Sequence, residues 1–495
     1  MGINNEVYFL MKKKVFVIFL LIFSIFKLHG AESQKDVYTL VKEDIFYFKE
    51  ILEKGYVFYD ELYKANPVKF NEKDILKKYK KLEKKLKKNT PEVNFVNGIN
   101  QDALLSPLWY YLQDLKPNDG HLCIKTNSET WHLSNNISCF SSEYFFQKVK
   151  DNFILIESPD KLLTGKKFTD DISNLKKVIK NNQEMYMFAP CSFDYRQNSA
   201  SLSLDDKNYT IPVEMMNSSV EDNTFIKLTE TSDSLYFKIK DFSIVSETSK
   251  EKEFLAALDK IPQKMNNKKN IILDMRDNLG GYNFYSRELV TAIYGKREND
   301  NERKELRNFL DLVDAGTIEL KSYITTKGMY DLAVKNNRSI TSIKRNEKEV
   351  KEHQKGYPKY YDGFLSKIPE QIPKDYNHAL NSKLIILVDY YTLSSAEKCI
   401  GYFYFLDENN ITLIGLNTGG TMIGGQIIEY ELPNSKLKIK LASISQAKTP
   451  LLNYIPAWKG ENYGFYPDYW CDDKNIVSTV VALTEDKELE KVIVK

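Results

Sequence analysis

Leu384-Ile385-Ile386-Leu387-Val388 is an unbroken apolar run, and Ser394-Ser395-Ala396-Glu397 follows shortly after it, opening a helix-like stretch to Leu406. An apolar run of this length reads as a buried strand. The pair therefore predicts a strand-to-helix corner with a small hydroxyl residue at its tip. Such a corner can expose a nucleophile while the helix N-terminus offers N–H groups to an anion.

A companion stands upstream: Ile271-Ile272-Leu273-Asp274-Met275-Arg276-Asp277-Asn278-Leu279-Gly280-Gly281, an apolar strand that breaks into a glycine pair. Strands are expected at Leu235–Ile239, Ile271–Leu273, Leu384–Val388 and Ile411–Ile414, alternating with helices at Phe284–Tyr294 and Ser395–Leu406. That alternation predicts an α/β domain over 228–495, interrupted by a long, charged, mainly helical insertion at 296–375. Residues 31–135 show mostly helical spacing of apolar positions, among them Val37, Leu40, Val41 and Ile45. In the Lys-rich run 77–88, Leu82 and Leu86 mark one side of a helix whose lysines face water. Between 140 and 225, short strand-like pieces predominate (Phe153–Ile156, Glu184–Phe188, Ser199–Leu204, Tyr209–Val213), with one helical piece expected at Ile172–Ile179.

A chain of 495 residues exceeds one ordinary core, so several domains are expected. Its 42% hydrophobic and 28% charged residues are those of a soluble globular protein. Lys12-Lys13-Lys14 followed by the apolar run Val15–Phe26 reads as a signal peptide over 1–30, with an uncleaved anchor as the alternative. Its removal takes away four lysines and Glu6, so the formal charge goes from +2 to −1. Nothing in that balance argues for nucleic acid, and no second run approaches the length of a membrane span. The expected location is export, to a periplasm or the medium. Five cysteines leave pairing open, with Cys123–Cys139 one possibility.

A serine nucleophile needs a base within hydrogen-bond reach. Of the five histidines, His29 would leave with the signal, and His353 and His378 lie in or beside the charged insertion. His121 sits in Asn118-Asp119-Gly120-His121-Leu122-Cys123-Ile124, where a glycine turn feeds a short strand. His121, Cys123, His132 and Cys139 lack a familiar zinc spacing. G-x-S-x-G, P-loop and H-E-x-x-H motifs are absent.

At this point the sequence resembles the tail-specific, or C-terminal-processing, serine peptidases, within them the tricorn-like branch with a Ser-His-Glu arrangement. Asp119-Gly120-His121 resembles the D-G-H element that carries the base, and Asp274-x-Arg276-x-Asn278-x-Gly280-Gly281 the D-x-R-x-N-x-G-G strand-turn. Ser394-x-Ala396-Glu397 resembles the nucleophile motif. Gly415 to Gly420 resembles a G-E-x-T-x-G element, Leu432-Pro433-Asn434-Ser435 a recurring strand motif, and Glu461 to Asp468 the terminal E-N-x-G-x-x-P-D.

The resemblance implies Ser394 as nucleophile, His121 as base and Glu461 as the acid that orients it. It also implies an oxyanion hole of backbone N–H groups from Ser395 and Gly280 or Gly281. The implied catalytic fold is a crotonase-like ββα superhelix, with a peptide or protein as substrate and no cofactor or metal. Residues 140–225 faintly resemble a PDZ domain without its carboxylate-binding loop, so tail specificity is not carried over. Two departures matter. Thr421 stands where Ser-Lys relatives carry their lysine, and Leu416 replaces a glutamate. They favour His121 as base, and they also keep open a catalytically silent, peptide-binding or scaffold relative, or a lysine base from 296–375. Oligomeric state is not legible.

Overall fold

In a computed structural model the described residues are 36–86, 88–117, 119–132, 137–218, 223–295, 300–314, 380–446, 452, 455 and 457–493. The signal segment 1–30, most of the 296–375 insertion, His29, His353 and His378 lie outside them.

Four helices come first: α1 (Val37–Gly55), α2 (Tyr59–Ala65), α3 (Glu72–Leu86) and α4 (Gln101–Asp114). They bury one stripe each, including Val41, Ile45, Phe48, Leu52, Tyr79, Leu104 and Leu108. In α3 the lysines stay outside while Ile75 and Tyr79 are buried. Strands β1 (Cys123–Lys125) and β2 (Thr130–His132) follow.

The next segment is β-rich: β3 (Ser138–Ser141), β4 (Phe145–Val149), β5 (Asn152–Glu157), β6 (Leu175–Lys180), β7 (Gln183–Phe188), β8 (Cys191–Ser192), β9 (Ser199–Leu204), β10 (Lys207–Pro212) and β11 (Glu214–Met215). Its sheets run β5-β4-β7-β6, β8-β3-β11 and β9-β10. The helix expected at Ile172–Ile179 is instead a short 3-10 turn, Ile172–Asn174, followed by β6. The β6–β7 hairpin turns on Asn181 and Asn182, both at positive φ (51° and 59°), the two-residue turn that matches strand twist. A disulfide joins Cys139 on β3 to Cys191 on β8. Cys123, buried on β1, is a free thiol, so the Cys123–Cys139 pairing is ruled out.

The last segment carries β12 (Ile226–Glu230), β13 (Ser234–Ile239), α5 (Ser249–Leu258), β14 (Asn270–Asp274), α6 (Asn283–Tyr294), α7 (Asp300–Asp314), β15 (Lys383–Val388), α8 (Ser395–Asp407), β16 (Ile411–Gly415), β17 (Gly424–Glu431), β18 (Lys438–Ser445), β19 (Tyr469–Trp470) and α9 (Asp473–Thr484). One six-stranded sheet runs β12-β13-β14-β15-β16-β19, parallel except for the antiparallel β12–β13 pair. Parallel neighbours require crossovers, and α5, α6 and α8 supply them.

Both faces of this sheet are buried, which is why its strands read as continuous apolar runs. Leu384, Ile386 and Val388 point to the α5, α6 and α8 side, with Phe237, Leu273, Leu289 and Phe403. Ile385 and Leu387 point to the other side, against Ile476, Val477 and Val480 of α9. Of the insertion, α7 packs Leu306, Phe309 and Leu310 on the first of these cores.

A second sheet, β17-β18-β1-β2, joins the two ends of the chain: β18 pairs antiparallel with β1, setting Ile439 against Ile124. Its apolar face (Leu122, Ile124, Ile428, Tyr430, Leu441) completes the core of the N-terminal helices. Leu432 to Ser435, expected from their motif on a strand, form the β17–β18 turn, where the Asn434 and Ser435 amides donate to Asp44 of α1 (2.9 and 2.7 Å). The architecture is mixed α/β and multidomain. Among the described residues, no helix is long and apolar enough to cross a membrane.

Candidate active site

Ser394 occupies the corner between β15 and α8, half-buried, with φ 55° and ψ −116°. A serine that merely caps a helix adopts extended backbone. The conformation here is one that a non-glycine residue holds only when its surroundings over-determine it. Those surroundings are visible. The Ser394 N–H donates to Glu397 Oε2 (3.1 Å) and to Thr421 Oγ1 (2.8 Å). Glu397, fully buried, also accepts from Thr418 Oγ1 (2.5 Å), Gly420 N (2.8 Å) and Thr421 N (2.7 Å). Burial pushes its carboxyl up, and these donors pull against that.

The loop before the corner is fixed by Asp389, whose carboxylate accepts from Asp277 N (3.1 Å to each oxygen), Tyr391 N (3.0 Å) and the hydroxyls of Thr392 (3.1 Å) and Ser218 (2.5 Å). It thereby ties the β14 turn to the β15 turn. Burial raises its pKa to about 6.

Gly280 packs directly on the serine corner. A Cβ there would lie 2.5 Å from Leu393 O, 2.8 Å from Ser395 N and 2.9 Å from Ser394 Cβ, and its φ of 83° favours glycine in any case. The Gly280 N–H donates to Asn278 Oδ1 (3.0 Å). Among the described residues no hydrogen bond occupies the N–H of Gly281 or of Ser395. Asp274 and Arg276 are structural, forming a fully buried pair (Nη2–Oδ2 2.7 Å), with Tyr236 donating to Asp274 (2.8 Å) and Arg276 reaching Asp473 (3.0 Å).

Asp119, His121 and Glu461 come together from opposite ends of the sequence, their side-chain N and O atoms within 4.8 Å of one another. The His121 N–H donates to Asp119 Oδ1 (3.0 Å), and Nδ1 of the ring stands 3.7 Å from the same oxygen. This buried Nδ1 has no hydrogen-bond partner. Glu461 Oε1 accepts from Gly120 N (3.1 Å) and Oε2 from Ile423 N (3.0 Å). Burial, then the Asp119 charge, raises the Glu461 carboxyl well above its usual range, against the two amides. The spacing of the three side chains would also suit a divalent cation, although both oxygens of Glu461 already hold amides.

Thr421 stands between the two groups. Its Oγ1 holds the Ser394 amide, and its Cγ2 lies 2.2 Å from where a Cβ on Gly120 would be. Among the described residues Ser394 and His121 share no hydrogen bond. Leu416, in place of a motif glutamate, is buried in an apolar cluster with Trp470. His132 lies on β2, across from Cys123. The motif reading located Glu397 and Thr421 but gave neither a positioning role; Asp389 and Tyr56 it passed over.

Residues 233–455 match the family model of peptidase family S41. That segment belongs to this family of serine peptidases. The protein is a serine-type peptidase. The matched segment contains Ser394, Gly280, Gly281 and Thr421, while His121 and Glu461 lie outside it.

Among solved structures, the chain is similar to mature CPAF complexed with lactacystin (12% identity, TM-score 0.37, 92% of this chain and 98% of that one). It is also similar to a putative peptidase from Parabacteroides merdae ATCC 43184 (14%, 0.36, 90% and 97%). A third likeness is the photosystem II D1 C-terminal processing protease (10%, 0.33, 91% and 97%). No curated protein sequence matches the chain.

Proposed function

We propose that this peptidase is an exported endopeptidase that cleaves peptide bonds through an acyl-enzyme, with Ser394, His121 and Glu461 as its triad. The observation that carries the reading is the strained Ser394 corner, with Thr421 linking it to the Asp119–His121–Glu461 cluster. His121 presents Nδ1 to the carboxyl side, which leaves Nε2 to take the Ser394 proton and return it to the leaving amine. Glu461 orients the ring through the Gly120 turn and, with Asp119, stabilises the imidazolium. The N–H groups of Ser395 and Gly281, without other partners, receive the oxyanion; one such donor is worth about 3 kcal/mol. Exposed Leu279, Tyr282, Tyr391 and Tyr463 flank these residues in sequence and offer apolar surface to a peptide chain.

The same reading assigns 228–495 to a crotonase-like catalytic domain of the tricorn-like branch and 140–225 to a degenerate PDZ-like module. Export to a periplasm or the medium is supported by the apolar run Val15–Phe26 and by the Cys139–Cys191 disulfide, a bond of oxidising compartments. A fluorophosphonate probe tests the nucleophile. Labelling is expected in wild type and Ser395→Ala and lost in Ser394→Ala. A folded wild type that takes no label would favour the silent, peptide-binding relative.

A further inference from the structure

Tyr56 ends α1, and its side chain is fully buried. Its place is fixed from several sides. Val57 N donates to Ala442 O of β18 (3.1 Å), the Phe58 ring meets the Tyr56 ring edge-on at 5.7 Å, and Gly55 backs onto the Tyr430 hydroxyl. The strand that Val57 grips, β18, also pairs with β1, which continues directly from His121. The end of α1 and the His121 turn are therefore mounted on one sheet.

Three buried polar atoms there have no hydrogen-bond partner: the Tyr56 hydroxyl, Asp119 Oδ2 and His121 Nδ1. A buried polar group left unsatisfied costs about 1–3 kcal/mol, so three in one cluster call for a reason. The Asp119 carboxylate lies close enough to act on the Tyr56 phenol, and Glu461 acts on it more weakly. Burial first, and then the Asp119 charge, pushes the phenol well up. The hydroxyl therefore keeps its proton and can serve a carboxylate only as donor. Asp119 Oδ1 is already committed to the His121 backbone N–H (3.0 Å), which leaves Oδ2 as the acceptor for Tyr56.

We infer that Tyr56 is a positioning residue for the His121 base, acting through Asp119. Its hydroxyl donates to Asp119 Oδ2 and keeps that carboxylate turned so that Oδ1 faces His121 Nδ1. The Nδ1–H of neutral His121 then has its acceptor already in place, so that Nε2 is left bare to take the Ser394 proton. The ionisable groups around this contact are Asp119, His121 and Glu461, and the charge of Glu397 also reaches Glu461. The inference rests on the reading of His121 as base, and it makes the N-terminal helices part of the catalytic apparatus.

The test compares Tyr56→Phe, Asp119→Asn, their double variant and His121→Ala with wild type on a peptide substrate, with thermal melts to establish folding. A hydrogen bond to a charged group is worth enough that Tyr56→Phe should lose roughly 10- to 100-fold in kcat at unchanged KM. The acid limb of its kcat/KM profile should be displaced, because the carboxylate that faces His121 Nδ1 has lost a donor. In the Asp119→Asn background the same change should add nothing. Tyr56 is overturned as a positioning residue if Tyr56→Phe keeps the wild-type pH profile, or loses the same factor in both backgrounds, while His121→Ala is inactive. If His121→Ala is itself near normal, the base reading fails instead. Should Tyr56→Phe not fold, Asp119→Asn alone decides: a wild-type kcat there overturns the inference, and a comparable loss with a displaced acid limb upholds it.

Discussion

Thr421 Oγ1 accepts the Ser394 N–H at 2.8 Å. The same threonine presents its methyl group to Gly120, one residue before His121. Thr421 is thus a spacer between the serine corner and the histidine turn. Thr421→Val keeps the shape and removes the acceptor, leaving Ser394 N–H with Glu397 alone. The expected result is a fall in kcat of roughly tenfold, the worth of one net hydrogen bond, with little change in melting temperature.

Gly120→Ala tests the other contact. Its Cβ would sit 2.2 Å from Thr421 Cγ2, with Thr421 Cβ at 3.0 Å and Gly420 O at 3.2 Å behind. Overpacking of this kind costs about 1–3 kcal/mol, and here it must displace His121 from Thr421. The variant should melt lower and lose activity out of proportion to its stability. Combining it with Thr421→Ser, which removes the methyl group, should recover part of both.

Much of this was legible from residues and some was not. Leu384–Val388 read correctly because a strand buried on both faces leaves an unbroken apolar run. Ile172–Ile179 read as helix because its apolar spacing fits either period. The decisive signal lay outside it, in the Asn181-Asn182 turn that folds β6 onto β7. The roles of Glu397 and Asp389 are sets of accepted backbone hydrogen bonds, and no pattern of residue types announces those. Tyr56 ends an apolar helical stretch, so it reads as core until Asp119 is placed before it by the pairing of β18 with β1. The Cys139–Cys191 bond depends on the β3–β8 pairing, which cysteine spacing alone cannot supply.

Asp389 predicts a pH effect of unusual sign. Its folded pKa, about 6, exceeds the unfolded carboxylate value near 3.9. The folded protein therefore binds this proton more readily than the unfolded chain. The contribution to stability is fully present below the unfolded value and is lost as pH rises through the folded one. Relative to Asp389→Asn, wild type should gain stability by about 2 kcal/mol between pH 7 and pH 4. Denaturant unfolding of both proteins at the two pH values measures this, and a difference that does not change with pH would contradict it.

Arg276 and Asp274 behave in the opposite sense. Burial pushes Asp274 up, but the Arg276 charge and the hydrogen bonds from Arg276 and Tyr236 outweigh it and hold the carboxyl below its usual range. Its stabilisation is present above the unfolded pKa and is lost as pH falls through the folded one. Arg276→Met leaves a buried carboxylate uncompensated, at a cost of about 3–5 kcal/mol at neutral pH. Chemical denaturation should show that loss, and acidification should narrow the gap to wild type.

The pairing of Ser394 with His121 is tested most directly by steady-state hydrolysis of a peptide substrate by purified, folded His121→Ala beside wild type. If His121 is the base, kcat falls by roughly 10⁴-fold or more. A kcat within about tenfold of wild type would mean that another group takes the Ser394 proton, and the Ser-His-Glu account would be wrong.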